Sequence, residues 1–166
     1  MKKLLLLGLT LALFSAANLE AKTSRKSNSQ SSSGAFELNV AHINDHHSHL
    51  EEEKMPLKLN GKTVTVHIGG LPRVAQAIKN FRQNNKNTLV LHAGDAVTGT
   101  LYYTLFEGKA DAELMNAINF DAYTLGNHEF DDGNEVLAKF LSALKIPVIS
   151  SNVVPDKGSI LEGKWK

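Results

Sequence analysis

The chain has 166 residues, a net charge of +1 and no cysteine, and 42% of its residues are hydrophobic. This length suits one ordinary domain with a moderate core. The basic residues are scattered, which argues against the clustered basic face that binding to a nucleic-acid polymer requires. The absence of cysteine excludes a fold held together by disulfides.

Residues 1–21 have the pattern of a secretory signal peptide. Lys2 and Lys3 give a positive start, residues 4–13 form an apolar run too short to span a bilayer, and small residues lead up to Ala21. A retained membrane anchor is the alternative. An exported chain without cysteine fits a bacterial periplasm or culture medium. We therefore expect a periplasmic or secreted bacterial protein with no stable membrane anchor after cleavage.

Folded structure is predicted to begin at Phe36, after a serine-rich segment at residues 22–35. That segment cannot bury apolar surface, so it is predicted to be a disordered linker. Residues 36–43 alternate between apolar and polar side chains, which predicts a first strand. His42 falls on the apolar side of this alternation and is expected to pack beneath a site at the end of the strand.

The rest of the chain predicts strands that alternate with helices. Asn60-Gly61 lies between two short strand-like runs and predicts a hairpin over residues 57–66. Apolar spacing then predicts, in chain order, a helix at 71–81, a strand at 88–91, a helix at 112–119, a strand at 122–125, a helix at 135–144 and a strand at 147–150. This alternation predicts an α/β fold with a sheet covered on both faces.

Three polar clusters each follow a predicted strand. They occupy residues 44–49, 94–99 and 126–131. Sites in open α/β sheets gather at the carboxyl ends of the strands, so loops far apart in sequence can converge there. Carboxylate, imidazole and amide groups without a thiolate suit divalent ions such as Mn, Zn or Fe. The alternative is that these are polar loops that only cap helices.

Spacing within the clusters indicates how they could bind metal ions. Asp45 and His47 are two residues apart, so on an extended backbone both point to one side and can bind one ion. The two carboxylate oxygens of Asp95 can bridge two ions. Asn127 can add a neutral oxygen to the second ion.

The third cluster also contains a candidate proton-transfer pair. His128 is left free for proton transfer, and Asp131, three residues on, can orient its imidazole and stabilise the protonated form. His46 and His49 are expected to be solvated loop residues or donors that support the ligands. Glu129 is expected to support the ligands or to begin a helix.

Together the clusters resemble the calcineurin-like metallophosphoesterases. The closer resemblance is to the secreted bacterial 5′-nucleotidase family, which includes UDP-sugar hydrolases and 2′,3′-cyclic-nucleotide phosphodiesterases. The motifs that carry it are Asn44-Asp45-x-His47, Gly94-Asp95-x-x-Thr98-Gly99 and Gly126-Asn127-His128-Glu129-Phe130-Asp131. The resemblance implies part of a four-layer α-β-β-α sandwich, about the first sheet and its helices.

The resemblance also implies two divalent metal ions, such as Mn, Zn or Mg, and a nucleotide substrate. The implied metal ligands are Asp45, His47, Asp95 and Asn127, and the implied catalytic dyad is His128 with Asp131. In the family, a metal-bound hydroxide attacks phosphorus in line, and the dyad stabilises the transition state or protonates the leaving group. A nucleoside monophosphate, a UDP-sugar and a cyclic nucleotide all stay open as substrates.

The sequence departs from the family in its later ligands. The family uses two further histidines and an asparagine or glutamine, whereas no histidine follows His128 here. We therefore expect residues 36–166 to be the N-terminal part of the catalytic domain, without the C-terminal nucleotide-binding domain and with little or no activity alone. Half of a sandwich would leave one apolar sheet face exposed. The alternative function is a non-catalytic fragment that binds a metal ion or a nucleotide.

Overall fold

The computed structural model describes residues 34–166, so the predicted signal peptide and nearly all of the predicted linker lie outside the described residues. Residues 36–166 form one compact unit. Within the described part of the chain, none of the helices combines the length and apolar character needed to span a bilayer.

The elements follow the predicted alternation of strands and helices. The strands are β1 (Asn39–Ile43), β2 (Glu53–Leu59), β3 (Lys62–Ile68), β4 (Thr88–His92) and β5 (Ala122–Tyr123). The helices are α1 (Leu71–Asn84), α2 (Leu101–Phe106), α3 (Lys109–Ile118) and α4 (Gly133–Ala143), with a 3₁₀ turn at His128–Phe130. The predicted strand at residues 147–150 is reduced to a single parallel bridge between Tyr123 and Val148.

Helix α2 is the element that the sequence pattern does not predict. Its first turn is capped by Thr100, whose hydroxyl accepts a hydrogen bond from the backbone N–H of Tyr102 at 3.3 Å. None of its six residues is buried. A helix this short, with no fully buried residue, leaves no apolar periodicity to detect.

Strands β1, β4 and β5 form a parallel sheet in the order β1-β4-β5. Helices α1 and α3 lie in the crossover connections that parallel strands require. The register pairs Ile43 with His92 and His92 with Tyr123, so the three strands end at the same level. The loops that follow them are therefore brought to one edge of the sheet.

The helices cover one face of this sheet. On that face Val90 and Tyr123 belong to the main hydrophobic core. The buried helical residues packed there are Ile78 of α1, Ala112 and Met115 of α3, and Leu137, Ala138, Phe140 and Leu141 of α4. Burial of these apolar side chains is the main driving force for the fold.

The opposite side of β1 and of the residues before it is open to solvent. Phe36, Leu38 and Val40 are 74%, 53% and 50% exposed. The prediction of a sheet covered on both faces is therefore wrong at β1, whose outer side is apolar and exposed among the described residues. His42 is also exposed and does not pack beneath the site. The physical reason is that strand alternation turns Ile43, not His42, toward the helices.

Strands β2 and β3 form the predicted antiparallel hairpin, and Leu59 pairs with Lys62 across its turn. Asn60 and Gly61 have φ of 51° and 76°. Positive φ at both central positions is typical of the type I′ turn, which matches the twist of the flanking strands. Local turn chemistry alone is therefore enough to predict this element.

Candidate metal centre

The loop after β1 runs alongside the loop after β4. Hydrogen bonds of 3.0, 3.2 and 3.0 Å join the backbone N–H groups of Asp45, His47 and Ser48 to the carbonyls of Gly94, Asp95 and Ala96. The three donors have φ of 54°, 45° and 53°, a left-handed region that residues other than glycine rarely occupy. The prediction that Asp45 and His47 lie on an extended backbone is therefore wrong. Strain of this kind concentrates at functional sites.

Three side chains converge where the loops meet. Ligand atoms of His47, Asp95 and His128 all lie within 4.8 Å of one another. The two imidazole rings meet edge to face, with 4.9 Å between their centroids. The backbone N–H of His128 donates to Oδ1 of Asp95 at 2.9 Å. The three clusters thus come together at the ends of the parallel strands, and they do more than cap helices.

A backbone carbonyl determines which nitrogen of His47 is available. Nδ1 of His47 lies 3.2 Å from the carbonyl oxygen of Val97, which can only accept, so Nδ1 carries the hydrogen. Nε2 is therefore the nitrogen that faces the site, where it lies 3.7 Å from Oδ1 of Asp45, and in the neutral ring it carries the lone pair. A neutral imidazole held by a hydrogen bond at its other nitrogen is the form that binds metal ions.

Asp45 lies beside this trio rather than within it. The Asp45 side chain is 49% exposed. A hydrogen bond from the Asn44 amide is the main cause that lowers the pKa of Asp45, with smaller contributions from Asp95 and His47. Asp45 is therefore a carboxylate at neutral pH, the form that a cation requires. Asn127 is exposed and directly precedes the 3₁₀ turn.

The predicted contact between His128 and Asp131 is present. Nδ1 of His128 lies 2.7 Å from Oδ2 of Asp131. The 3₁₀ turn places residues three apart on the same side, which brings the pair together. This hydrogen bond is the main cause that raises the pKa of His128, and the negative charge of Asp131 adds to it. Because Nδ1 donates to Asp131, Nε2 is the ring nitrogen left available for other contacts.

The buried side chain of Glu129 joins the loop after β4 to the loop after β5 by hydrogen bonds. It is 4% exposed. Its carboxylate accepts hydrogen bonds from the backbone N–H groups of Gly126 at 2.6 Å, Ala96 at 2.7 Å and Asp95 at 3.1 Å. One buried carboxylate therefore satisfies three backbone donors and holds Asp95 against the third cluster. The sequence gives Glu129 a supporting role, but backbone donors carry no sequence signal that could reveal these bonds.

His92 lies buried below the site, and no sequence pattern assigns it a partner. It is 1% exposed. Its ring packs edge to face on Phe120 and Tyr123, with 5.3 Å between centroids in each case. The pKa of His92 is lowered to about 3, mainly by burial and to a smaller extent by His46, while the charge of Asp45 opposes the shift. His92 is therefore neutral in the folded protein.

The stability of the fold is expected to fall on acidification through His92. Its pKa is near 6.5 in the unfolded chain and about 3 in the folded one, so the contribution to stability is complete above pH 6.5 and is lost as pH falls toward 3. Between about pH 6 and pH 5 the loss from this group is roughly 1 kcal/mol per pH unit. Urea unfolding of wild type and His92→Phe at both pH values measures it. Equal pH slopes for the two proteins would contradict this expectation.

A parallel sheet whose strand ends bring together one carboxylate and two imidazoles has the groups needed to hold a divalent metal ion. Residues 38–163 match the family model described as calcineurin-like phosphoesterase, and the chain belongs to this family. The predicted fold class and family are therefore confirmed.

Relatives within the family carry more specific names. The NAD 5′-nucleotidase of Haemophilus influenzae is 60% identical over 132 residues, which cover 80% of this chain and 22% of that protein. The probable 5′-nucleotidase of Treponema pallidum is 55% identical over 136 residues, covering 82% and 23%. The chain thus spans less than a quarter of the length of these two curated relatives.

Solved structures agree with the sequence relatives. The NAD nucleotidase of Haemophilus influenzae superposes with a TM-score of 0.74 at 59% identity, covering 77% of this chain and 25% of that one. The 5′-nucleotidase precursor of Thermus thermophilus gives a TM-score of 0.68 at 38% identity, covering 77% and 24%. Both likenesses support the sheet, the helices and the loop positions described above.

Proposed function

We propose that this chain supplies part of the catalytic domain of a 5′-nucleotidase-type phosphoester hydrolase that acts on nucleotides outside the cytoplasm. The convergence of His47, Asp95 and His128 within 4.8 Å carries the proposal. The relatives named as NAD 5′-nucleotidase and probable 5′-nucleotidase support a nucleotide substrate, and the first of them adds NAD to the candidate substrates. Lys2, Lys3 and the apolar run at residues 4–13 support export to a periplasm or medium.

We infer that the complete centre holds two divalent metal ions, as the family resemblance implies. Asp45, His47, Asp95 and Asn127 would hold them, with oxygen and imidazole ligands and no thiolate, which suits Mn, Zn or Mg. The lowered pKa of Asp45 and the fixed tautomer of His47 are both the states that a bound cation needs. Such ions activate water as a nucleophile and offset negative charge on the phosphate oxygens.

His128 and Asp131 would handle the proton in this reaction. Asp131 holds the Nδ1–H group of His128, so Nε2 is the nitrogen available to the substrate. The raised pKa of His128 favours the protonated imidazole, which can donate to a phosphate oxygen or to the leaving oxygen. Asp131 stabilises the resulting positive charge.

A second candidate function is a module that binds one metal ion and does no chemistry. The trio itself favours it, because two imidazoles and one carboxylate within 4.8 Å are enough to hold a single ion. In that case His128 is a ligand rather than a proton donor. The two functions therefore make different predictions for the same substitution.

Calorimetric titration of the chain with Mn²⁺ separates the two roles of His128. If His128 is the proton donor, His128→Ala retains wild-type affinity within about threefold, because every metal ligand remains. If it is a ligand, affinity falls by about tenfold or more. Glu113→Ala, on the exposed side of α3, is the control that removes a distant charge.

The same samples are assayed with 5′-AMP, NAD and p-nitrophenyl phosphate. We expect little or no turnover, because the family resemblance implies further ligands that these residues do not supply. Metal-dependent turnover that disappears in His128→Ala would contradict this expectation and show that these residues suffice for catalysis.

A further inference from the structure

A buried hydrogen-bond chain runs behind the first loop of the site, through His46, His92 and Asp111. Nδ1 of His46 lies 2.9 Å from Nε2 of His92, and Nε2 of His46 lies 3.1 Å from Oδ1 of Asp111. The side chains of His46 and Asp111 are 7% and 0% exposed. None of the three belongs to the proposed metal ligands or to the dyad of His128 and Asp131.

One backbone group determines which atoms donate and which accept along the whole hydrogen-bond chain. The N–H of Gly94 donates to Nδ1 of His92 at 3.2 Å, and a backbone N–H can only donate. Nε2 of the neutral His92 therefore carries the hydrogen and donates to Nδ1 of His46. Nε2 of His46 then donates to Asp111. Each ring thus has one defined tautomer, and the chain runs from the end of β4 to the first turn of α3.

Stability alone does not account for this arrangement. Oδ2 of Asp111 is buried and has no hydrogen-bond partner among residues 34–166, a state that costs free energy. Apolar side chains of similar volume in place of a buried polar cluster are often neutral or stabilising. The three side chains of this hydrogen-bond chain also cannot enclose one metal ion, because the two nitrogens of His46 face different partners on opposite sides of the ring. A positioning role remains.

The hydrogen-bond chain acts on a strained part of the loop. His46 lies between Asp45 and His47, both of which have positive φ. The side chain of His46 is directed into the buried chain, whereas those of its two neighbours lie at the site. Fixing the ring of His46 to β4 and α3 therefore restrains the backbone that carries two proposed ligands.

We propose that His46, His92 and Asp111 are positioning residues that hold the loop at residues 45–47 in its metal-binding conformation. The inference rests on the proposed metal-binding function. It assigns a purpose to the buried cluster and to the strained backbone together. Groups that orient metal ligands typically change metal affinity by about 10- to 100-fold when they are removed.

This role is tested by Mn²⁺ calorimetry on substitutions that keep side-chain volume but interrupt the hydrogen-bond chain. His46→Phe and Asp111→Leu are each expected to weaken Mn²⁺ binding by at least about tenfold. The double variant is expected to be about as weak as either single variant, because the chain acts as one unit. Asp111→Asn keeps an oxygen that accepts from His46 and is expected to stay within about threefold of wild type.

Leu137→Ala is the matched control for general destabilisation. Leu137 is 1% exposed in the core, on α4 and away from the loop. Its truncation is expected to lower the melting temperature while the folded protein keeps wild-type Mn²⁺ affinity. A loss of affinity in this control as large as in His46→Phe would overturn the inference, since affinity would then follow stability alone.

Amide hydrogen exchange gives a readout that needs no metal. The N–H groups of Asp45, His47 and Ser48 are expected to exchange at least about tenfold faster in His46→Phe, while those of β4 keep their protection. If the wild-type chain binds no Mn²⁺, metal binding by these residues alone fails, and exchange alone decides the inference. If Asp95→Ala abolishes binding but the chain-breaking variants keep both affinity and protection, the inference fails and the function stands.

Discussion

Replacing Asp95 with alanine is expected to abolish divalent-metal binding by this chain. The Asp95 carboxylate lies with His47 and His128 in the group whose ligand atoms are within 4.8 Å of one another. It is also the proposed bridge between two ions, so both would lose a ligand at once. We expect Mn²⁺ affinity to fall more than about 100-fold, roughly 3 kcal/mol, by calorimetry.

Asp95→Asn separates the charge of this residue from its structural contact. An asparagine oxygen can still accept the hydrogen bond that the backbone N–H of His128 donates to Oδ1 of Asp95 at 2.9 Å. The amide has no negative charge and one oxygen, so metal binding is still expected to be lost while the fold is kept. Asp156→Ala, at an exposed carboxylate outside the site, serves as the control. Wild-type affinity in Asp95→Ala would rule out the proposed centre.

Adding a single methyl group at Gly126 is expected to destabilise the fold and disrupt the site together. A Cβ there would overlap the Asp95 carboxylate and would lie 2.6 Å from the Asp95 backbone nitrogen. Since backbone cannot move aside as a flexible side chain can, the loops after β4 and β5 would separate. We expect Gly126→Ala to lower the free energy of unfolding by about 3 kcal/mol, measured by urea denaturation.

Gly133→Ala is the matched control for this substitution. Gly133 has a φ of 83°, but a Cβ there meets nothing within 4 Å. The conformational penalty alone is about 1 kcal/mol. Gly126 should therefore be the more costly position although Gly133 is the one with positive φ. The reverse order would show that close approach of the two loops is not what requires glycine.

Much of the fold and the place of the site could be predicted from local patterns. Helix α1 and strand β4 follow from the periodicity of apolar residues. The hairpin follows from Asn60-Gly61, whose turn preference is intrinsic to those two residues. The convergence of His47, Asp95 and His128 follows from one topological rule, that the loops after parallel strands share an edge.

The surroundings of the site could not be predicted, because its partners are distant in sequence. His46, His47 and His49 look alike in a run of polar residues. One of them lies in the trio, one is buried against His92 and Asp111, and one pairs with Glu53 on the exposed side at 2.6 Å. Only packing of the loop onto β4 and α3 distinguishes them.

The sequence by itself therefore determined the order of the strands and helices from β1 to α4 apart from α2, the turn of the hairpin and the three loops that carry the chemistry. Each of these depends on residues within a few positions of one another. The tertiary structure decided that helices cover one face of the sheet, that His42 is exposed, and that Glu129 binds three backbone N–H groups. These outcomes depend on contacts between segments far apart in the chain, and no local spacing specifies such contacts.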